Sequence, residues 1–134
     1  GMTYGWHADL AHMRFDETIV RSDVACTVFL VPPESYKGGE LTVKLPVGQL
    51  SVRLPAGDAV VYPATTMHRV EPVTAGTRRV ALTWVQSLVP SAEHRELLFE
   101  MRQSIGRLRE RDPQNEDLIK LNVVYQNLAR LLAT

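Results

Sequence analysis

Cysteine is almost absent from this chain. Cys26 stands alone, which excludes an internal disulfide and a zinc site built on cysteine. It lies in an apolar strand pattern and reads as a buried small hydrophobe. No excess of charge exists either: 15 Lys and Arg balance 15 Asp and Glu, for a formal net charge of +0 and a pI near 7.1. That balance removes the electrostatic case for nucleic acid or an anionic membrane as partner. No apolar run approaches the ~20 residues of a bilayer-spanning helix, and no secretory signal opens the chain. The expected setting is cytoplasmic. Repeats and low-complexity segments are absent too, and Gly1-Met2 reads as a tag remnant before a start methionine.

The chain does carry alternation. Asp23–Val31 is apolar and β-branched, a strand buried on at least one face. Glu40–Leu45 places Leu41, Val43 and Leu45 opposite Thr42 and Lys44, and Gln49–Leu54 alternates likewise after Pro46-Val47-Gly48, which predicts a hairpin with one wet face. Ala59–Tyr62, Met67–Val73 and Arg78–Ser87 complete the strands, with Arg78, Val80, Leu82 and Trp84 sharing one face. A turn near Ala75 is expected to pair the last two as a hairpin. Residues 11–22 are polar and without clean period, and with 32–39 they read as loops. His12 reads as a surface histidine.

From Pro90 the period changes to that of a helix. Ser91 is the expected N-cap, and Leu97, Leu98, Met101, Ile105 and Leu108 follow at helical spacing. Asp112-Pro113 is expected to restart the chain as N-cap and first-turn proline of a second helix, with Leu118, Leu121, Val124, Tyr125, Leu128, Leu131 and Leu132 on its apolar side. The expectation is therefore a mainly β domain over 1–89, a sandwich, jelly roll or barrel, followed by an α-helical hairpin over 90–134.

Chemistry concentrates in one stretch, Tyr4-Gly5-Trp6-His7-Ala8-Asp9. On a strand, His7 and Asp9 point to one face. His68, in Thr66-Met67-His68-Arg69-Val70, is the best candidate for a third ligand. Two imidazoles and a carboxylate on one face of ferrous iron leave the opposite positions open, as non-haem oxygenases require. Either histidine alone reads as an ordinary surface or core residue. Arg78 is expected to point inward with Val80, Leu82 and Trp84, and a buried guanidinium calls for an anion. The far carboxylate of a dicarboxylate would supply one.

These pieces resemble the prolyl-4-hydroxylase-like group of Fe(II)/2-oxoglutarate dioxygenases, and within it the bacterial PKHD-type hydroxylases. The resemblance runs through Tyr4-Gly5-x-His7-x-Asp9, Arg21–Leu30, Tyr36-x-Gly38-Gly39-Glu40-Leu41, Leu54–Asp58, His68-Arg69-Val70-x-Pro72-Val73-Thr74-x-Gly76-x-Arg78, Trp84–Ser87 and the helical tail with Val124-Tyr125-x-Asn127-Leu128. It implies a double-stranded β-helix that is short at its N-terminal side, where family members carry further helices and strands. It implies His7, Asp9 and His68 as the catalytic iron ligands, Arg78 as the anchor of the 2-oxoglutarate C5 carboxylate, and Tyr4 and Trp84 as pocket walls. Arg79 points outward. The implied reaction uses O2 and couples decarboxylation of 2-oxoglutarate to hydroxylation of a C–H bond in an unknown peptidyl-prolyl-like or small organic substrate, with ascorbate as a possible reductant. A homodimer is expected.

Two other classes fit part of this pattern. A cupin-like metal- or ligand-binding domain would account for Pro55–Asp58 through His68, but cupins usually add a His-x-His and a later Glu, and they have no use for Arg78. A catalytically impaired, truncated jelly roll serving as a scaffold would account for the strands and the helical hairpin.

Overall fold

The computed structural model describes residues 3–134. Gly1 and Met2, read above as a tag remnant and start methionine, lie outside the described residues. The strands are β1 (Tyr4–His7), β2 (His12–Phe15), β3 (Thr18–Arg21), β4 (Val24–Phe29), β5 (Tyr36–Gly38), β6 (Leu41–Leu45), β7 (Gly48–Val52), β8 (Ala59–Pro63), β9 (His68–Val70), β10 (Val73–Gly76) and β11 (Val80–Val85). Two helices follow, α1 (Ala92–Arg111) and α2 (Asp117–Leu132). The protein is thus mainly β with a C-terminal helical hairpin. It divides into two compact units, one ending at Gln86 and one spanning Ser87–Thr134.

In the β unit, β1-β9-β6-β7 form one antiparallel sheet and β11-β4-β8 another. Strand β4 is central in its sheet, and its alternate residues Ala25, Thr27 and Phe29 are buried. Phe29, 1% exposed, contributes about 2 kcal/mol or more by burial. Leu41 and Val43 of β6 are buried in the other sheet. Side chains of both sheets line one cavity: Tyr4, Leu41 and His68 from the first, Thr27, Tyr62 and Trp84 from the second. This is the double-stranded arrangement expected, with the cavity between the sheets.

Five expectations are corrected. Residues 11–22 are not a loop: β2 and β3 form a hairpin in the register His12↔Arg21 through Phe15↔Thr18. The two-residue turn contains Asp16 at φ 50, a left-handed conformation that Asp tolerates, so the usual glycine signal is missing. Within 32–39, Pro33–Ser35 is a short 3-10 turn and Tyr36–Gly38 is a strand that pairs with β10. The hairpin expected between Met67–Val73 and Arg78–Ser87 does not exist, because β9 pairs with β1 and β6 while β11 pairs with β4. Nor is the polar face of β6 fully wet. Thr42 is buried, donating to Glu71 Oε1 at 2.9 Å and lying 3.0 Å from Ser51 Oγ. Finally, Cys26 is half-buried on the cavity wall and is not a core residue. His12 is exposed, as expected.

In the helical unit, Ser91 caps α1, its hydroxyl accepting from the His94 backbone N–H at 3.2 Å. Leu98 and Ile105 of α1 and Leu118 of α2 are buried, and the two helices pack on each other. The connection is longer than expected. Asp112 closes α1, its N–H donating to the Leu108 carbonyl, and does not open α2. Asn115 Oδ1 instead accepts from the Asp117 N–H at 3.0 Å at the start of α2. No helix among the described residues is long and apolar enough to cross a membrane.

Candidate metal centre and carboxylate pocket

The register of β1 on β9 builds the centre. His7 lies directly opposite His68, and Tyr4 opposite Val70, with an irregularity between the two pairs. The imidazole rings sit 4.3 Å apart, centroid to centroid. Asp9 arrives differently from the sequence expectation: β1 ends at His7, so Asp9 does not share a strand face with it. The Asp9 N–H donates to the Ala64 carbonyl at 3.2 Å, which ties the turn after β1 to the end of β8. The carboxylate then reaches the histidines, with Asp9 Oδ1 3.8 Å from His68 Nε2. One ligand atom from each of His7, Asp9 and His68 lies within 4.8 Å of the others.

Each imidazole has one nitrogen already committed. His7 Nδ1 lies 2.7 Å from the Gly5 carbonyl and His68 Nδ1 lies 2.9 Å from the Thr66 carbonyl. A carbonyl only accepts, so Nδ1 is the donor in both rings, and in the neutral imidazole this leaves the Nε2 lone pair for a metal. Both histidines use the carbonyl two residues before them. Such partners fix ring orientation around a metal. The sequence cannot display them, because every residue has a carbonyl. Asp9 Oδ2 is enclosed and has no hydrogen-bond partner. An enclosed carboxylate oxygen without a donor, beside two free Nε2 atoms, fits a bound divalent cation.

The centre opens on a cavity of about 780 Å³. Arg78 lies in its wall, just before β11, with Leu82 and Trp84 following on the same side. Its guanidinium carbon sits 5.9 Å from the centre of the Phe29 ring. Arg78 Nε is enclosed without a partner, and no carboxylate among the described residues forms an ion pair with it. Burial pushes its pKa below the ordinary arginine value, with Tyr36 and Tyr62 acting in the opposite direction. An unpaired, half-enclosed guanidinium fits an anionic ligand group. Arg79, by contrast, is exposed.

The remaining candidates also line this cavity. Tyr4 stands edge-on to His7, with centroids 4.5 Å apart, and is 64% exposed, so it sits at the rim. Trp84 lies deeper, its Nε1 enclosed and unpartnered and its ring 6.5 Å from Phe15 of the β2–β3 hairpin. Tyr62 and Met13 are among the wall residues that the sequence did not single out. Tyr62 packs edge-on to His68 at 5.1 Å, and Met13 brings the unforeseen hairpin to the cavity. Burial first, then the charge of Asp9, push the Tyr62 phenol up to about 12, against Thr27 and Arg78, so it remains protonated at neutral pH. The alternation of Ala59–Tyr62 could have identified it as an inward residue.

Comparison with known proteins gives a consistent assignment. The family model of the 2OG-Fe(II) oxygenase superfamily matches residues 1–86, and that of the PKHD-type hydroxylase C-terminal domain matches residues 93–133. A PKHD-type hydroxylase from Colwellia psychrerythraea is 43% identical over 130 residues, covering 97% of this chain and 58% of that protein. One from Alteromonas mediterranea is 45% identical over 131 residues, covering 96% and 58%. One from Stenotrophomonas maltophilia is 47% identical over 131 residues, covering 97% and 58%. The chain therefore spans a little over half the length of these relatives. A solved structure of an oxidoreductase of the 2OG-Fe(II) oxygenase family from Burkholderia pseudomallei aligns with a TM-score of 0.46 and 20% identity, over 60% of this chain and 35% of that one.

Proposed function

Since the chain belongs to the 2OG-Fe(II) oxygenase superfamily, we propose that it carries the iron and co-substrate centre of a PKHD-type hydroxylase. His7, Asp9 and His68 are the iron ligands in this reading, and Arg78 binds the C5 carboxylate of 2-oxoglutarate. The observation that supports it best is a pair of complementary deficits in one cavity. Asp9 Oδ2 lacks a positive partner and Arg78 Nε lacks an acceptor. A divalent cation meets the first need and a dicarboxylate meets the second.

When bound, ferrous iron with 2-oxoglutarate supplies the activation of O2 and the oxidising power for C–H hydroxylation. The chain's own residues do the rest. The Gly5 and Thr66 carbonyls hold the protons at Nδ1 of His7 and His68 and keep each Nε2 available. Arg78 orients the co-substrate from its far end, which leaves its chelating end toward the histidines. Trp84, Leu82 and Met13 keep the wall apolar, and Tyr4 borders the mouth. Ascorbate as reductant and a peptidyl-prolyl-like or small organic substrate belong to the same proposal. So does a homodimer, supported by the exposed apolar Leu97, Ile119, Val123 and Leu131 of the helical unit. A cupin-like reading is less well supported, because it leaves Arg78 without a role.

Anaerobic titration with Fe(II) and then 2-oxoglutarate tests this reading. The weak visible charge-transfer band of the chelate is expected in the parent, absent with His68→Ala and weakened with Arg78→Ala. Folded, iron-loaded protein that gives no band would refute it.

A further inference from the structure

Gly39 lies just past β5, at φ +70, with its N–H bonded to the Pro72 carbonyl at 3.2 Å. Three side chains close on its α-carbon. A Cβ built there would stand 2.9 Å from Arg78 Cδ, 2.9 Å from Val73 Cγ2 and 3.4 Å from Tyr36 Cε2. Real Cβ atoms do not tolerate the first two separations, so a methyl group here must displace a neighbour. Tyr36, 3% exposed, has little room to yield. Val73 belongs to β10, which is paired with β5. The methylene stem of Arg78 is the most mobile of the three. It is also the one whose far end carries the guanidinium.

We propose that Gly39 is a positioning residue: its missing side chain is the seat for the Arg78 stem, and so sets where the guanidinium meets the far carboxylate of the co-substrate. This inference rests on the assignment of Arg78 made above. Gly39 touches neither metal nor co-substrate in this scheme and acts only through Arg78. A one-carbon addition would shift the guanidinium out of register with a carboxylate whose other end is fixed at the metal. Charge-assisted hydrogen bonds are directional, so such a shift forfeits most of their contribution.

The test uses protein loaded with Mn(II) as an O2-inert stand-in for iron. Binding of 2-oxoglutarate is measured by calorimetry beside binding of 2-oxopentanoate, which keeps the chelating end and the chain but lacks the far carboxylate. Gly39→Ala is expected to weaken 2-oxoglutarate by about 10- to 100-fold and to leave Mn(II) and 2-oxopentanoate binding unchanged. Gly57→Ala controls for backbone strain, because Gly57 sits at φ +95 with nothing within 4 Å of a built Cβ. It is expected to match the parent for both acids. Arg78→Ala removes one of the two clashing neighbours and leaves the Val73 contact in place, so the Gly39→Ala, Arg78→Ala double variant isolates the part of the loss that runs through Arg78. Its 2-oxoglutarate affinity is expected to equal that of Arg78→Ala alone. Equal losses for both acids, parent-like 2-oxoglutarate affinity in Gly39→Ala, or a further loss on top of Arg78→Ala would each overturn the inference. A Mn(II)-loaded parent that binds no 2-oxoglutarate would overturn the underlying functional reading as well.

Discussion

Replacing Arg78 by methionine is expected to strengthen the fold while removing the function. The Met side chain retraces most of the arginine stem, so the space beside Gly39 that Arg78 Cδ occupies stays filled. What disappears is a guanidinium whose Nε is enclosed without an acceptor. Leaving a polar group buried and unsatisfied costs about 1–3 kcal/mol, and the apolar substitute recovers that cost. Against this stands the contact with the Phe29 ring at 5.9 Å, near the outer limit of a cation–π interaction and contributing about 0.5–1 kcal/mol. The balance runs from about 0 to about 2.5 kcal/mol in favour of Arg78→Met in ligand-free protein, and its middle, about 1 kcal/mol, is a rise of about 4–8 °C in melting midpoint for a unit of this size. The same variant is expected to bind 2-oxoglutarate about 10- to 100-fold more weakly. Thermal melts by circular dichroism and calorimetric titration of metal-loaded protein read the two effects separately. A variant that melts below the parent and keeps its co-substrate affinity would refute the reasoning, since the guanidinium would then serve a structural partner.

Two further tests follow from single residues. Tyr62 has its phenol raised to about 12 in the folded chain, against about 10 when unfolded. The folded state therefore holds the proton more tightly, so this contribution is complete below pH 10 and is lost as pH rises from 10 to 12. Urea midpoints at pH 9 and pH 11 should fall further in the parent than in Tyr62→Phe, and equal falls would remove Tyr62 from the account. In the helical unit, Ser91→Ala deletes the acceptor for the His94 N–H and should cost about 1 kcal/mol. Helical ellipticity followed through a urea titration measures that loss, which Ser91→Asp should largely restore.

The limits of the sequence are clearest around Arg78. Its inward orientation followed from period-two alternation with Val80, Leu82 and Trp84, and the expected neighbour was the Met67–Val73 strand across a hairpin. The orientation holds and the hairpin does not: β11 lies beside β4, with Val80 opposite Phe29 and Trp84 opposite Ala25. Alternation belongs to a single strand and survives any choice of partner. Strand pairing is non-local, and nothing in the Arg78–Ser87 stretch distinguishes Val24–Phe29 from Met67–Val73 as a neighbour. The same division explains Asp9. Its proximity to His7 was legible, but its position depends on the Ala64 carbonyl, some fifty residues away. The β2–β3 hairpin was missed because Asp16 takes a left-handed turn without the glycine that usually marks one. The seat under Arg78 was invisible for a related reason. Gly38-Gly39 reads as a breaker signal, yet what Gly39 provides is an absence of atoms beside a residue 39 positions later. Spacing can nominate the side chains of a centre such as this one, whereas the carbonyls and vacant volumes that aim them emerge only when distant segments fold together.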